Sequence, residues 1–403
     1  MNILIVSHQF YPLNSPRAFR WKSIYDDLKN KGHTVKIITG TFQEKSNDDI
    51  FFIGNQKSKT FINNVRTRSN QVDSNKMFIN FIYLILKKVY RLFYKTFAWP
   101  DYSMFWLYSV WKSRKHIDYQ YDVIISVSLP FSSHLAAYIL NKKNQKKWIM
   151  DIGDPFSLKE NAYENNKYLY KYLNFYIEKK FYNIAHQIIF THKESSDSHI
   201  KYFKINKEKI YIGSPISTFN DELFEASKSY KYNTLPIKLG YFGVLTKGVR
   251  SPENTLKFFK NSDFEFNWYT NPDSKLMVTQ NKINLDNHKF FDMVSRDEAL
   301  DKMTSSLHCL LSIGNLNPGQ LPSKIIEYIS TGKPVIHFAE IDDDPVIQIS
   351  KQFNNLIIVN TDSNLPELED KLNKIFLNID TFNKETFIKN YSAGAITSNL
   401  DIL

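Results

Sequence analysis

Short apolar runs that alternate with helix-like segments and glycine stops constrain this chain more than any other feature. The run Ile3 to Val6 enters a polar loop, His8 to Pro16. A helix-like segment follows through about Lys31, Gly32 stops it, and Val35-Lys-Ile-Ile-Thr39 is the next apolar run. Strands buried on both faces read as continuous apolar stretches, and strand, helix, glycine, strand is the order of a parallel βαβ unit. The pattern recurs at Val123-Ile-Ile-Ser-Val127, with a helix from Ser132 to Leu140, and at Lys147 to Asp151, Gln187-Ile-Ile-Phe190 and Ile210-Tyr-Ile212.

From Ser214 to Pro236 the pattern lapses into polar residues with two prolines, as an interdomain linker would. A second series then begins, with strands expected at Ile237 to Phe242, Phe266 to Tyr269, Lys289 to Met293, Leu307 to Ile313, Pro334 to Phe338 and Leu356 to Val359. A length of 403 residues suits two domains of ordinary size. The expected organisation is a first α/β domain over 1–213, a linker over 214–236 and a second α/β domain over 237–380. A C-terminal helix over 381–403 could cross back to the first domain. Open parallel sheets of this kind bind ligands at the carboxyl ends of their strands.

Two stretches depart from the rhythm. Gln43 to Asn75 is polar and reads as a loop-rich insertion. Met77 to Phe97 is dense in Phe, Ile, Leu and Tyr, with Lys87, Lys88, Arg91 and Lys95 in its second half. Helical spacing gives it an aromatic-aliphatic side and a basic side, which suits either a core helix with a solvated face or a helix resting on an anionic membrane. It is too charged to span one. The formal net charge of +11 makes a surface that attracts phosphates, whether of nucleotide, anionic lipid or nucleic acid. The single cysteine, Cys309, excludes an internal disulfide and sits in the apolar run His308-Cys-Leu-Leu-Ser312, as a buried strand thiol would. Met1 to Ser7 is apolar but lacks a basic leader and reads as a first strand rather than a secretory signal, so a cytoplasmic location is expected.

The strongest local signal is Leu321-Pro-Ser-Lys-Ile-Ile-Glu-Tyr-Ile-Ser-Thr-Gly-Lys-Pro-Val-Ile336. A strand ends near Ile313, a loop runs from Gly314 to Gly319, and a helix is expected from Pro322 or Ser323. Its free amides, with Lys324, would form an anion site. Helical spacing predicts Lys324, Glu327, Tyr328 and Thr331 on one side, with Ile325, Ile326 and Ile329 buried on the other. A carboxylate one turn behind a phosphate site is placed to accept hydrogen bonds from ribose hydroxyls.

This segment resembles the donor-site helix of retaining glycosyltransferases of family 4, which have the GT-B fold. The family pattern Pro-x-Lys-x-x-Glu-x-x-x-x-Gly-x-Pro-Val is matched from Pro322 through Val335. The resemblance implies two Rossmann-like domains with parallel sheets facing across a cleft, and a nucleotide-sugar donor on the second. Lys324 would sit near the diphosphate and Glu327 on the ribose, with Gln320, Leu321, Pro322 and Ser323 lining the donor. Members often carry a second Glu eight residues earlier; Gly319 stands there, so the backbone of Gly319 to Leu321 would replace that carboxylate.

A second signal is Gly240-Tyr-Phe-Gly-Val-Leu-Thr-Lys-Gly-Val-Arg-Ser-Pro252. It resembles the family's first C-domain loop, where Gly243 would approach the donor and Lys247 or Arg250 would neutralise the leaving diphosphate. Arg250 is preferred, because Arg-Ser-Pro resembles one subgroup. In the first domain, Asn14-Ser-Pro-Arg-Ala-Phe-Arg20 fills the first strand-to-helix loop and offers Ser15, Arg17 and Arg20 toward an acceptor. Leu129-Pro-Phe-Ser-Ser-His-Leu135 follows another strand and brings up His134. Trp148-Ile-Met-Asp-Ile-Gly-Asp-Pro155 resembles the subgroup's Asp-x-Arg-Asp-Pro-Trp, with Asp151 and Asp154 on the acceptor side, Gly153 where Arg is common and Phe156 for Trp. Structural roles for His134 and Asp154, as a packed loop histidine and a turn carboxylate, stand beside these.

There is no Gly-x-Gly-x-x-Gly, no Walker A loop, no Cys/His metal cluster and no nucleic-acid recognition motif. Asp342-Asp-Asp344 contains Asp-x-Asp but lies after the donor helix, and a solvated turn is expected. The implied reaction needs no metal or other cofactor. The acceptor implied is a lipid-linked or polysaccharide glycan of a bacterial surface, reached at the inner face of an anionic membrane. A nucleotide-sugar epimerase of the same fold and an inactive subunit are the alternatives.

Overall fold

The computed structural model describes residues 1–13, 15–42, 48–54, 96–117, 119–159, 164–230, 232, 234–281, 284–316, 321–322, 324–378 and 382–402. Most of the two irregular stretches, Gln43 to Asn75 and Met77 to Phe97, lies outside the described residues, as do Gly319, Gln320 and Ser323. The chain divides into two compact units, Met1–Gly213 with Ile396–Leu403, and Ser214–Ala395.

In the first unit the elements run β1 (Asn2–Val6), α1 (Pro16–Asn30), β2 (Thr34–Thr39), β3 (Ile50–Phe52), α2 (Met104–Ser113), β4 (Val123–Val127), α3 (Ser132–Asn144), β5 (Lys147–Ile152), α4 (Lys167–Ile184), β6 (Gln187–Phe190), α5 (Lys193–Phe203) and β7 (Ile210–Ile212). The sheet is parallel throughout, in the order β3-β2-β1-β4-β5-β6-β7. The chain therefore builds outward from β1 in one direction, then restarts at β4 in the other. That reversal leaves a crevice at the carboxyl ends of β1 and β4. Strand β3 corrects the expectation of a loop-rich insertion from Gln43: the apolar triplet Ile50–Phe52, too short to stand out among polar neighbours, pairs with β2. Helix α1 is set by Ser15, whose side chain accepts from the Ala18 amide, and by Pro16 in the first turn.

The second unit runs α6 (Asp221–Lys228), β8 (Lys238–Phe242), α7 (Glu253–Phe258), β9 (Glu265–Tyr269), α8 (Pro272–Thr279), β10 (His288–Phe291), α9 (Arg296–Ser305), β11 (Cys309–Ile313), α10 (Ile325–Ser330), β12 (Val335–Phe338), α11 (Val346–Ser350), β13 (Leu356–Val359), α12 (Leu365–Leu377), α13 (Lys384–Tyr391) and α14 (Ala393–Thr397), the last reaching into the first unit's residues. Its parallel sheet has the order β10-β9-β8-β11-β12-β13, with the same reversal between β8 and β11. Successive residues of β11 alternate between two cores: Leu310 packs with Ile325, Ile326 and Ile329, while Cys309, Leu311 and Ile313 pack with Trp268, Ile336 and Phe338. Burial pushes the Cys309 thiol pKa well up, so it is inert packing.

The segment expected as a linker, 214–236, folds as part of the second unit. Helix α6 buries Phe224 against Phe219 and Phe382, and Tyr230 covers the ammonium of fully buried Lys333 at 3.6 Å. A few aromatic anchors among polar residues are enough to dock it. The expected C-terminal helix is two helices separated at Ser392, which is extended. Residues from Ile396 onward lie on the first unit, where Lys147 pairs with Asp401 at 3.2 Å and the Gln187 side chain donates to Asn399 O at 2.8 Å.

Candidate active site

In the second unit a cavity of about 190 Å³ opens at the reversal between β8 and β11, lined by Gly243, Ser312, Arg250, Pro322, Lys324 and Tyr328 among others. Gly243 follows β8 directly with φ +151°, a backbone state open to glycine. Thr246 and Arg250 then close a tight turn through paired backbone hydrogen bonds of 3.2 and 2.8 Å. Lys247 and Gly248 form its exposed tip, so of the two predicted cations Arg250 is the one on the cavity wall. Asn315 holds its guanidinium, accepting from Nη2 at 2.9 Å and Nε at 3.2 Å. Asn315 follows β11 by two residues, which fixes Arg250 beside the strand end.

Helix α10 starts one residue after Lys324, later than expected, and Gly332 ends it with φ +72°. Burial lowers the Lys324 pKa, Arg250 and Arg296 push the same way, and Glu327 opposes them. The cavity thus holds a cation short of counter-charge, ready for an anion. Glu327 is mostly buried, and the Nε of Arg296, at the start of α9, donates to its Oε1 at 2.7 Å. Tyr328 and Thr331, expected beside Lys324 and Glu327 on the open side, are both buried. The Tyr328 hydroxyl bridges the Phe242 amide and carbonyl at 2.9 and 3.1 Å, because α10 packs on the end of β8 as well as on β11.

Sequence reasoning missed Arg296, Asn315 and Ser312. Ser312 lines the cavity; its hydroxyl lies 2.9 Å from His337 Nδ1, and His337 Nε2 meets Asp344 Oδ2 at 2.9 Å. Asp344 also caps the Val346 amide. It is therefore a buried carboxylate, not part of a solvated turn as expected, although Asp342 and Asp343 are exposed. No signal short of the strand pairing of β11 with β12, which sets Ser312 opposite His337, would have found this relay.

In the first unit, residues from two separated stretches meet at the carboxyl end of β5. Asp151 is fully buried, and its Oδ2 accepts from Arg17 Nη1 at 2.5 Å and from Trp21 Nε1 at 2.7 Å. Arg20 is also buried. Desolvation lowers its pKa to about 10 against the pull of Asp151, so it stays charged at neutral pH. The Arg17 guanidinium lies directly over Gly153: a Cβ there would stand 1.4 Å from Nη2. A side chain at 153 and the observed Arg17 cannot coexist. Gly153→Ala should displace Arg17, leave Asp151 short of a partner and destabilise the protein by about 1–3 kcal/mol. Urea denaturation checks this, with Arg17→Ala and the double variant completing the cycle. Additive effects, or no loss for Gly153→Ala, would refute the exclusion.

His134 lies in the first turn of α3, fully buried, and burial lowers its pKa to about 3. Ser126 Oγ accepts from Trp148 Nε1 at 2.8 Å and lies 2.7 Å from His134 Nδ1. The ring is therefore neutral and not an acid or base near neutral pH, and its Nε2 is buried away from any partner among the described residues. Asp154 is exposed beside His192, and Ser15 is the cap of α1.

The fold of the chain is shared with solved structures. A sucrose-phosphate synthase from Thermosynechococcus elongatus matches with a TM-score of 0.60 at 11% identity, over 98% of this chain and 96% of that one. HepE from Anabaena, solved in complex with UDP and glucose, matches with a TM-score of 0.58 at 10% identity, over 99% and 97%. The fold is GT-B. A UDP-GlcNAc 2-epimerase from Methanocaldococcus jannaschii matches at the limit, with a TM-score of 0.50 and 11% identity over 98% of both chains. No family profile and no curated protein sequence matches the chain. In a GT-B chain the cavity at the β8/β11 reversal sits where a doubly wound sheet takes its ligand.

Proposed function

We propose that this protein is a glycosyltransferase whose nucleotide-sugar donor binds the second unit. The observation that carries the reading is the cavity at the carboxyl ends of β8 and β11, with Arg250 and a charge-starved Lys324 on its wall. The donor diphosphate would rest on these two cations, with Gly243 and Leu321 close to its backbone and the partly buried Glu327 on the ribose. Lys247, exposed at the tip of the turn, would reach in as a third cation. As the glycosidic bond breaks, negative charge grows on the phosphate oxygens, and cations already fixed in place stabilise that state more than the ground state. The reaction would need no metal, because Arg250 and Lys324 carry the charge. Retention of configuration, assignment to family 4, a cytoplasmic location and a lipid-linked or polysaccharide acceptor at an anionic membrane complete the proposal. Arg17, Arg20 and Asp151 would order the acceptor side, with Asp154 as the exposed carboxylate, and the fully buried His134 would have a packing role.

The test is a thermal-shift panel of UDP-, GDP-, dTDP- and CMP-sugars on the wild type and on Glu327→Ala. One nucleotide class should raise Tm by several degrees, a shift that the substitution largely removes; absence of any shift in a folded protein would reject the donor site. The epimerase among the structural matches supports a second reading, in which a free UDP-sugar is converted without an acceptor. Incubation with the stabilising nucleotide-sugar alone separates the two: a new nucleotide-sugar would mark the epimerase.

A further inference from the structure

A buried chain of polar groups ends at the cavity of the second unit, and the cations of that cavity do not explain it. Ser312 shares a face of β11 with Leu310, which packs on Ile325, Ile326 and Ile329. It stands one step nearer the strand's carboxyl end, toward the start of α10 where Lys324 lies, and it lines the cavity. The pairing of β11 with β12 sets His337 opposite Ser312. The Ser312 hydroxyl is 2.9 Å from His337 Nδ1, and His337 Nε2 is 2.9 Å from Asp344 Oδ2. The three residues are 5%, 0% and 3% exposed in that order. Burying an imidazole and a carboxylate is unfavourable, and a serine could line a cavity without either. The backbone also leaves room for the carboxylate: a Cβ at Gly314, the first residue after β11, would collide with Asp344 Oδ2.

We propose that His337 and Asp344 are positioning residues that fix Ser312 Oγ as a hydrogen-bond acceptor in the cavity, where it takes a hydroxyl of the bound donor, on its ribose or on its sugar. The direction of the chain follows from its far end. The Asp344 carboxylate only accepts: Oδ1 takes the Val346 amide at 2.9 Å, and Oδ2 takes a ring proton from Nε2. Nδ1 of the neutral ring is then bare and accepts the Ser312 proton. Oγ keeps only lone pairs for a ligand. Such an oxygen repels phosphate and suits a group with a proton to give. Arg250 and Lys324 hold the diphosphate, and Ser312 reads a hydroxyl next to it. An acceptor set in this way selects its ligand, because a donor without that hydroxyl leaves Oγ desolvated and unpaired. The inference deepens the proposed donor site and rests on that reading.

The test is titration calorimetry on the full chain as wild type, Ser312→Ala and Asp344→Asn. The probes are UDP and UDP-glucose with their deoxyfluoro analogues, one hydroxyl replaced at a time, or the matching set for whichever nucleotide stabilises the wild type. Fluorine is close to a hydroxyl in size and has no proton to give. At least one analogue should bind wild type about tenfold more weakly than its parent. A ribose analogue of UDP or a sugar analogue of UDP-glucose shows which hydroxyl is read. Ser312→Ala should bind the parent about tenfold more weakly and no longer tell it from that analogue. In Asp344→Asn the Val346 amide keeps the side-chain oxygen, so the new NH2 group faces Nε2 and the ring proton moves to Nδ1. The Ser312 proton then turns toward the ligand, and discrimination should shrink to about threefold or less. A merely structural role would weaken all probes alike. An unliganded Tm near that of wild type shows that a variant folds, and Ser312→Ala decides the matter by itself where Asp344→Asn does not fold. Wild type that binds no nucleotide rejects the donor site and this inference with it. Wild type that binds every analogue like its parent, or a full discrimination that survives in Ser312→Ala or in folded Asp344→Asn, overturns the inference and leaves the donor site standing.

Discussion

Replacing Lys324 by Ala should lower turnover about a hundred- to a thousand-fold, with a smaller effect on donor affinity. The reason lies in the surroundings of its ammonium. Burial and the neighbouring Arg250 and Arg296 already disfavour its charge, with only Glu327 in support. A diphosphate reverses that balance, and most strongly when charge accumulates on the leaving oxygens, so the interaction is larger in the transition state than in the bound donor. Arg250→Ala should give a loss of similar size and also remove the two hydrogen bonds that Asn315 Oδ1 accepts from the guanidinium. Arg250→Lys should recover little, since one ammonium cannot reproduce the two hydrogen bonds that aim the guanidinium. Because both cations act on one group, the double variant should lose less than the product of the two singles. Release of nucleoside diphosphate under saturating donor measures all four. Near wild-type release by Lys324→Ala would remove this residue from the mechanism.

Acid should weaken the fold steeply between about pH 6.5 and pH 4. His134 is fully buried, and its pKa falls from an ordinary 6.5 to about 3. Below pH 6.5 the unfolded chain takes up a proton there and the native chain does not. The unfolded state then binds more protons, and stability falls with pH at up to about 1.4 kcal/mol per unit from this residue alone. His288 and His308 are lowered to about 4 by burial and act in the same direction. For His134 alone the loss across this range, about 3 kcal/mol, is a sizeable share of the about 5–15 kcal/mol that holds an ordinary domain together. Chemical denaturation at pH 7 and pH 5 should show the loss, and His134→Gln should flatten it. A pH dependence that the substitution leaves unchanged would place the titrating group elsewhere.

Much of this molecule was legible in its sequence because the sheets are parallel and buried on both faces. Such strands must be apolar along their whole length, and Val123–Val127 and Leu356–Val359 stood out for that reason. The motif from Pro322 to Val335 was legible too, since Lys324 and Glu327 flank a helix start whose glycine stop is required by φ at Gly332. Contacts between distant stretches were not. Arg296 meets Glu327 across 31 positions, Arg250 meets Asn315 across 65, and Arg17 meets Asp151 across 134. Helical periodicity put Tyr328 on the open side of its helix, and only the second surface against β8 turned it inward. Gly153 looked like a lost arginine until the space above it proved to be filled from α1.

The sequence by itself determined the two parallel-sheet domains and the candidate cations of the second unit, because these follow from local periodicity, glycine stops and short loops. Tertiary structure alone decided which cation faces the cavity, which carboxylates are paired, and that His134 is neutral. Those properties depend on burial and on partners far away in the chain, and no local pattern encodes either.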